Sequence, residues 1–126
     1  MRLSLNRALA LAAFSLGLFA AVRAQTTAMQ THREDQFQNE DVKVWRTTVL
    51  PHQPLAMHHH DHPRVLIALT DGTMDIVDSN GTHDVHIWKQ NHAYWLPAMP
   101  PGAMHSDVNA GSDPLEVLVV ELEKEH

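Results

Sequence analysis

From Val42 onward the chain alternates short β-branched and apolar runs with proline, glycine and asparagine punctuation. Val42, Val44, Thr47, Thr48, Val49 and Leu50 make the first such run, and Pro51 and Pro54 close it. Residues 55–60 read as a second strand and residues 65–69 as a third, before the turn signal Asp71-Gly72. Residues 73–77 and 82–88 flank Ser79-Asn80-Gly81, which predicts a tight type I′ hairpin because Asn-Gly accepts the positive φ that turn requires. Residues 93–96, 103–108 and 115–122 complete the set. In the last of them Leu115, Val117 and Val119 alternate against Glu116, Leu118 and Val120. About eight short strands with turns between them, and no amphipathic helix, predict an all-β fold, an antiparallel sandwich or barrel.

The N-terminal part reads differently. Arg2 and Arg7 introduce an apolar run over residues 8–22, broken only by Ser15 and Gly17, and Val22-Arg23-Ala24 places small residues where a signal peptidase cuts. The run is shorter than the roughly 20 apolar residues of a bilayer span. Residues 1–24 are therefore expected to be a signal peptide, cleaved on export to the periplasm or the exterior, and not a membrane anchor. Residues 25–41 are polar and predict a flexible N-terminal arm. A single barrel domain is expected over residues 42–123.

Charge and cysteine usage narrow the function. All 15 acidic residues but only six of the nine basic ones follow Ala24, which gives the exported part a formal charge of −9. Such a surface repels phosphate backbones and anionic lipid, so neither a nucleic-acid partner nor stable membrane insertion after cleavage is expected. The chain has no cysteine, so a small domain bound for an oxidising compartment does without disulfides. Thiolate zinc sites, cysteine nucleophiles and iron–sulfur clusters are excluded on the same ground.

Histidine is the residue in excess, with 11 in the chain and the densest stretch at Met57-His58-His59-His60-Asp61-His62. On a strand, His58 and His60 project to one face while Met57 and His59 project to the other. Two neutral imidazoles at i and i+2 can converge on one ion, and His105, delivered by the turn Pro100-Pro101-Gly102, is the candidate third ligand. The plain alternatives are a solvated loop or a remnant resembling a purification tag, and a tag lies at a terminus whereas this run is internal and flanked by strand patterns. His83 and His86 lie an odd number of positions apart and are read as surface residues, as is His92 in its turn. Tyr94 and Trp95 point to opposite faces, one of them toward the core. Asp107 shares the parity of His105 and is placed to orient a ligand ring from behind.

Pro54-x3-His58-x-His60, followed by residues 65–72 ending in Gly72, resembles the first motif of the cupin superfamily. That motif is His-x-His, a glutamate three or four residues on, and a glycine six beyond it. Pro100-x-Gly102-x2-His105-x3-Asn109 is similar to the core of the second motif, and the Asn80-Gly81 hairpin stands between the two. The resemblance covers roughly residues 42–122. It implies an antiparallel double-sheet jelly-roll barrel of the small single-domain cupin type, a metal site at His58, His60 and His105, and a homodimer.

Two departures qualify it. Asn91 stands near the glycine that opens the second motif, and Asn tolerates the same left-handed geometry. The glutamate of the first motif is missing, since six residues before Gly72 lies Val65, with Arg64 beside it. Three readings of that gap stay open. His62, of the same parity as His58 and His60, is the fourth ligand; or three histidines leave positions open for water or substrate; or no metal binds and the histidines line a pocket. Three imidazoles suit a divalent transition metal (iron, zinc, nickel, copper or manganese) better than calcium or magnesium. Arg64, if it points inward, would pair with a carboxylate or oxyanion of a small-molecule ligand; otherwise it forms a surface ion pair with Asp61 or Asp71. The function expected is that of a metal-binding cupin outside the cytoplasm, either a metal-dependent enzyme acting on a small molecule as an isomerase or dioxygenase would, or a non-catalytic metal- and ligand-binding module.

Overall fold

The computed structural model describes residues 29–124, and the signal peptide expected over residues 1–24 lies outside them. Nine strands account for the regular structure of the described residues: β1 His32–Gln38, β2 Val42–Val49, β3 Leu55–His58, β4 Arg64–Ala68, β5 Gly72–Asp78, β6 His83–Trp88, β7 Ala93–Leu96, β8 His105–Asn109 and β9 Leu115–Leu122. They form two antiparallel sheets, one in the order β1-β2-β9-β4-β7 and the other in the order β3-β8-β5-β6. The expected all-β, double-sheet architecture is the one observed.

Alternation sets what each sheet buries. On β9, Leu115, Val117 and Val119 are buried while their neighbours are half-exposed, and on β4 the inward set is Arg64, Leu66 and Ala68. These faces meet Trp45 of β2, Met74 of β5 and Trp88 of β6 in one apolar cluster. With each aliphatic side chain contributing about 1.5–3 kcal/mol on burial, this inter-sheet layer is the main source of cohesion in a chain without disulfides. Tyr94 packs against the cluster and its hydroxyl accepts from Lys89 N at 2.9 Å, while Trp95 faces outward.

Two local expectations need correction. Residues 32–38, read as part of a flexible arm, are strand β1, which runs antiparallel to β2 from His32 opposite Thr48 to Gln38 opposite Lys43. All seven residues of β1 are exposed, so the strand is held by its backbone ladder and carries no apolar periodicity to betray it. The hairpin between β5 and β6 is also not type I′. Asn80 keeps a negative φ and only Gly81 is left-handed, at φ 83°. Gly81 N donates to Asp78 O at 2.8 Å and Asp78 N to Thr82 O at 2.9 Å, the three-residue loop in which a left-handed glycine closes the turn. Asn91 does take the left-handed geometry expected of it, at φ 64°.

Candidate metal centre

β3 ends at His58, and His60 lies just beyond it, yet both rings turn to the same side as the parity argument requires, with centroids 4.9 Å apart. His59 turns away, and its Nδ1 lies 2.5 Å from Ala103 O. His105 opens β8 directly opposite His58 in the sheet register. It is brought there by a turn in which Ala103 N donates to Pro100 O at 3.0 Å and Gly102 takes φ 79°, a conformation that a side chain at that position would strain. Three imidazoles thus converge, each offering one ring nitrogen, all within 4.8 Å of one another.

The partners of the rings settle which nitrogens are free. A carbonyl only accepts, so the 2.8 Å contact of His58 Nδ1 with Ala56 O puts the proton on Nδ1 and leaves the Nε2 lone pair. His60 Nδ1 lies 3.2 Å from Glu121 Oε2, which does the same for its ring. His60 stacks parallel to Trp45, and the Arg33 guanidinium also lies over the Trp45 ring, 3.7 Å from its centroid. Burial, reinforced by the charge of Arg64 and by the neighbouring histidines, lowers the pKa of His60 to about 2. His105 is lowered chiefly by burial, partly offset by Asp107. Both rings are neutral at neutral pH, the state in which imidazole is a ligand.

This donor set fits a divalent transition ion. His58 Nε2 and His105 Nε2 face each other at 3.1 Å, and two nitrogens bound at about 2.0–2.1 Å to one tetrahedral or octahedral ion sit about 2.9–3.4 Å apart. A group made only of imidazoles does not suit calcium or magnesium. Asp107, two residues along β8, places one oxygen 3.7 Å from His58 Nε2 and the other 3.8 Å from His105 Nε2. Its carboxylate therefore flanks the two facing nitrogens and does not merely support a ring from behind.

The remaining sequence candidates separate clearly. His62 is not in the ligand group; it lies in the bend before β4, and its Nδ1 is buried without a hydrogen-bond partner. Pro63 follows it, and the chain leaves the parity of β3 before His62 is reached. Arg64 points inward and is 5% exposed, so the surface ion pair with Asp61 or Asp71 does not form. Glu121 was missed, although it extends the inward parity of Leu115, Val117 and Val119, and an acid at such a position is a legible signal. Burial, followed by the charge of Glu123, pushes its carboxyl pKa up. Arg33, on the strand taken for a loose arm, also went unnoticed.

The histidines open onto a cavity of about 290 Å³ between the sheets. Its walls are largely apolar, with Trp45, Leu66, Met74, Trp88 and Val119 among them, and Arg64 and Asp107 supply charge. A mostly apolar cleft with a few convergent polar groups is the usual form of a small-molecule site.

No family model matches the sequence, and no curated protein does. Solved structures do match. A cupin domain from Bordetella pertussis is similar at TM-score 0.66 and 20% identity, covering 75% of this chain and 95% of that one. A conserved protein with a double-stranded β-helix domain from Klebsiella pneumoniae gives TM-score 0.58 and 20% identity over 77% and 80% of the two chains. A cupin family protein from Methanocaldococcus jannaschii gives TM-score 0.58 and 19% identity over 78% and 84%. The fold is the cupin double-stranded β-helix, and it carries three histidines positioned to bind a metal ion.

Proposed function

We propose that this chain is a metal-dependent cupin enzyme that works outside the cytoplasm on a small organic molecule. The observation that carries the reading is the convergence of three imidazoles, His58, His60 and His105, on the wall of an apolar cavity. These residues hold a divalent transition ion, which supplies Lewis acidity or, for iron, copper or manganese, a redox couple. Trp45 and Glu121 fix the His60 ring, and the Ala56 carbonyl fixes that of His58. Asp107 is the group placed to hold or release a proton, because its carboxylate borders both the cavity and the facing nitrogens. Export is supported by the basic start, the apolar run and the small residues around Ala24.

One observation favours a second reading, a non-catalytic binding module. Asp107 lies close enough to the facing ring nitrogens to be drawn in as a further ligand, which would leave the cavity without a free acid or base. Elemental mass spectrometry of untagged protein, beside the triple His58→Ala, His60→Ala, His105→Ala variant, tests the shared part of both readings. Near one equivalent of a transition metal, absent from the variant, is expected; a folded protein that neither holds nor takes up metal would sink both. Turnover against a panel of small metabolites, lost in Asp107→Asn while the metal is retained, separates enzyme from module.

A further inference from the structure

Arg64 is a buried cation with little to hold it. Its Nη1 donates to Pro97 O at 3.2 Å, and it forms no ion pair among the described residues. The carboxylates that act on its charge, Asp107 and Glu121, lie against histidines instead. A guanidinium carries five N–H donors. Among the described residues the sealed side-chain atoms without a partner are His62 Nδ1, Asp75 Oδ1 and Trp88 Nε1, none of them from Arg64. The unused donors of Arg64 therefore meet the water-accessible space of the cavity that it lines. Trp88 borders the same cavity, and its indole N–H has no acceptor.

From this we infer that the cavity takes a small organic carboxylate, its carboxyl group on the Arg64 fork and its apolar body against Trp45, Leu66, Met74 and Trp88. A planar guanidinium matches a carboxylate in shape and charge. One guanidinium matches the single charge of a monoanion and would leave a phosphate dianion with charge to spare. The volume of about 290 Å³ sits at the small end of ligand pockets and calls for a compact body such as a single ring. Because Arg64 stands beside the position where the cupin motif would carry its glutamate, the residue that departs from the motif is the one that selects the ligand. The inference rests on reading the cavity as the small-molecule site, but not on the metal.

Isothermal titration calorimetry with benzoate and its neutral isostere benzamide tests it, in metal-free and in zinc-supplied protein. In metal-free wild type, benzoate is expected to bind about tenfold more tightly than benzamide or better. Arg64→Gln is expected to abolish that preference while leaving the benzamide affinity within about threefold. Equal affinities in the wild type, or no benzoate binding at millimolar concentration, overturn the inference, and neither result depends on the variant folding. A preference that survives in folded Arg64→Gln overturns it as well. So does one seen only with zinc, because the carboxylate then belongs to the ion. A protein that holds no metal yet prefers benzoate removes the metal reading and keeps this one.

Discussion

Histidines stand beside carboxylates in two regions of this molecule. On the cavity wall, His58, His60 and His105 lie near Asp107 and Glu121, with both His60 and His105 buried. At the β5–β6 end of the same sheet that carries His58 and His105, His83 Nδ1 lies 2.8 Å from Asp75 Oδ2 and His86 Nε2 lies 2.9 Å from Asp84 Oδ2. The outer contacts are the shorter ones, yet only the inner group gathers three ring nitrogens within 4.8 Å. His83 and His86 sit three apart on β6, so the strand sends them to opposite faces, and each ends in an isolated pair. Convergence depends on strand register and on water being kept out, and neither follows from the number of histidines or the nearness of an acid.

The inner group should fail completely when its members are removed. The triple alanine variant is expected to lose its bound metal altogether, the largest effect anticipated. Glu121→Gln comes next. It keeps the shape of the side chain but removes the charge facing His60 Nδ1, and groups that orient a ligating histidine typically account for 10–100-fold in metal affinity. A competitive zinc titration should show a loss of about tenfold or more; an unchanged affinity would mean that Trp45 and burial alone set the ring.

Much of this contrast is legible in the sequence. Parity placed His58 and His60 together and His83 and His86 apart, and the Pro-x-Gly turn located His105. The same parity carried one pair of residues further along β9 would have found Glu121. What could not be read was β1, because a strand whose seven residues are all exposed leaves no hydrophobic pattern. With it went Arg33, whose guanidinium lies over the Trp45 ring that stacks with His60. His62 failed for the opposite reason: its parity was right but the strand had already ended at His58. Whether Arg64 faced in or out turned on where β4 begins, and one residue of register decides that.

A smaller effect separates the two regions by pH. The His60 pKa is about 2 in the fold against 6.5 unperturbed, so below pH 6.5 the unfolded chain binds a proton that the metal-free fold refuses. Stability is therefore present above pH 6.5 and falls as pH drops toward the folded value. His105, also lowered, acts in the same direction. Glu121, whose carboxyl is raised from 4.5, acts in the opposite direction in a window that starts near pH 4.5. Between pH 7 and 5.5 His60 alone should remove about 1 kcal/mol from the unfolding free energy. Urea titrations of metal-free protein at the two values should show that loss, and His60→Gln should show less of it. Equal stability at both values would contradict the depressed pKa.

The smallest effect expected is that of the outer pairs, and it is the one that tests whether the contrast is real. In the His83–Asp75 pair the histidine side chain is 60% exposed, and in the His86–Asp84 pair the aspartate is 74% exposed. Water and salt screen such pairs, and they typically contribute about 0–1 kcal/mol. His83→Gln with His86→Gln should therefore leave metal content and zinc affinity unchanged. The stability cost should stay within about 1 kcal/mol, most of it from the stacking of His86 on Trp88 at 5.0 Å. Because Trp88 borders the cavity, the double variant also reports whether the β6 end of the sheet supports the inner group. A fall in zinc affinity here would mean that the β6 wall positions the ligands through Trp88, and the two regions would have to be treated as one.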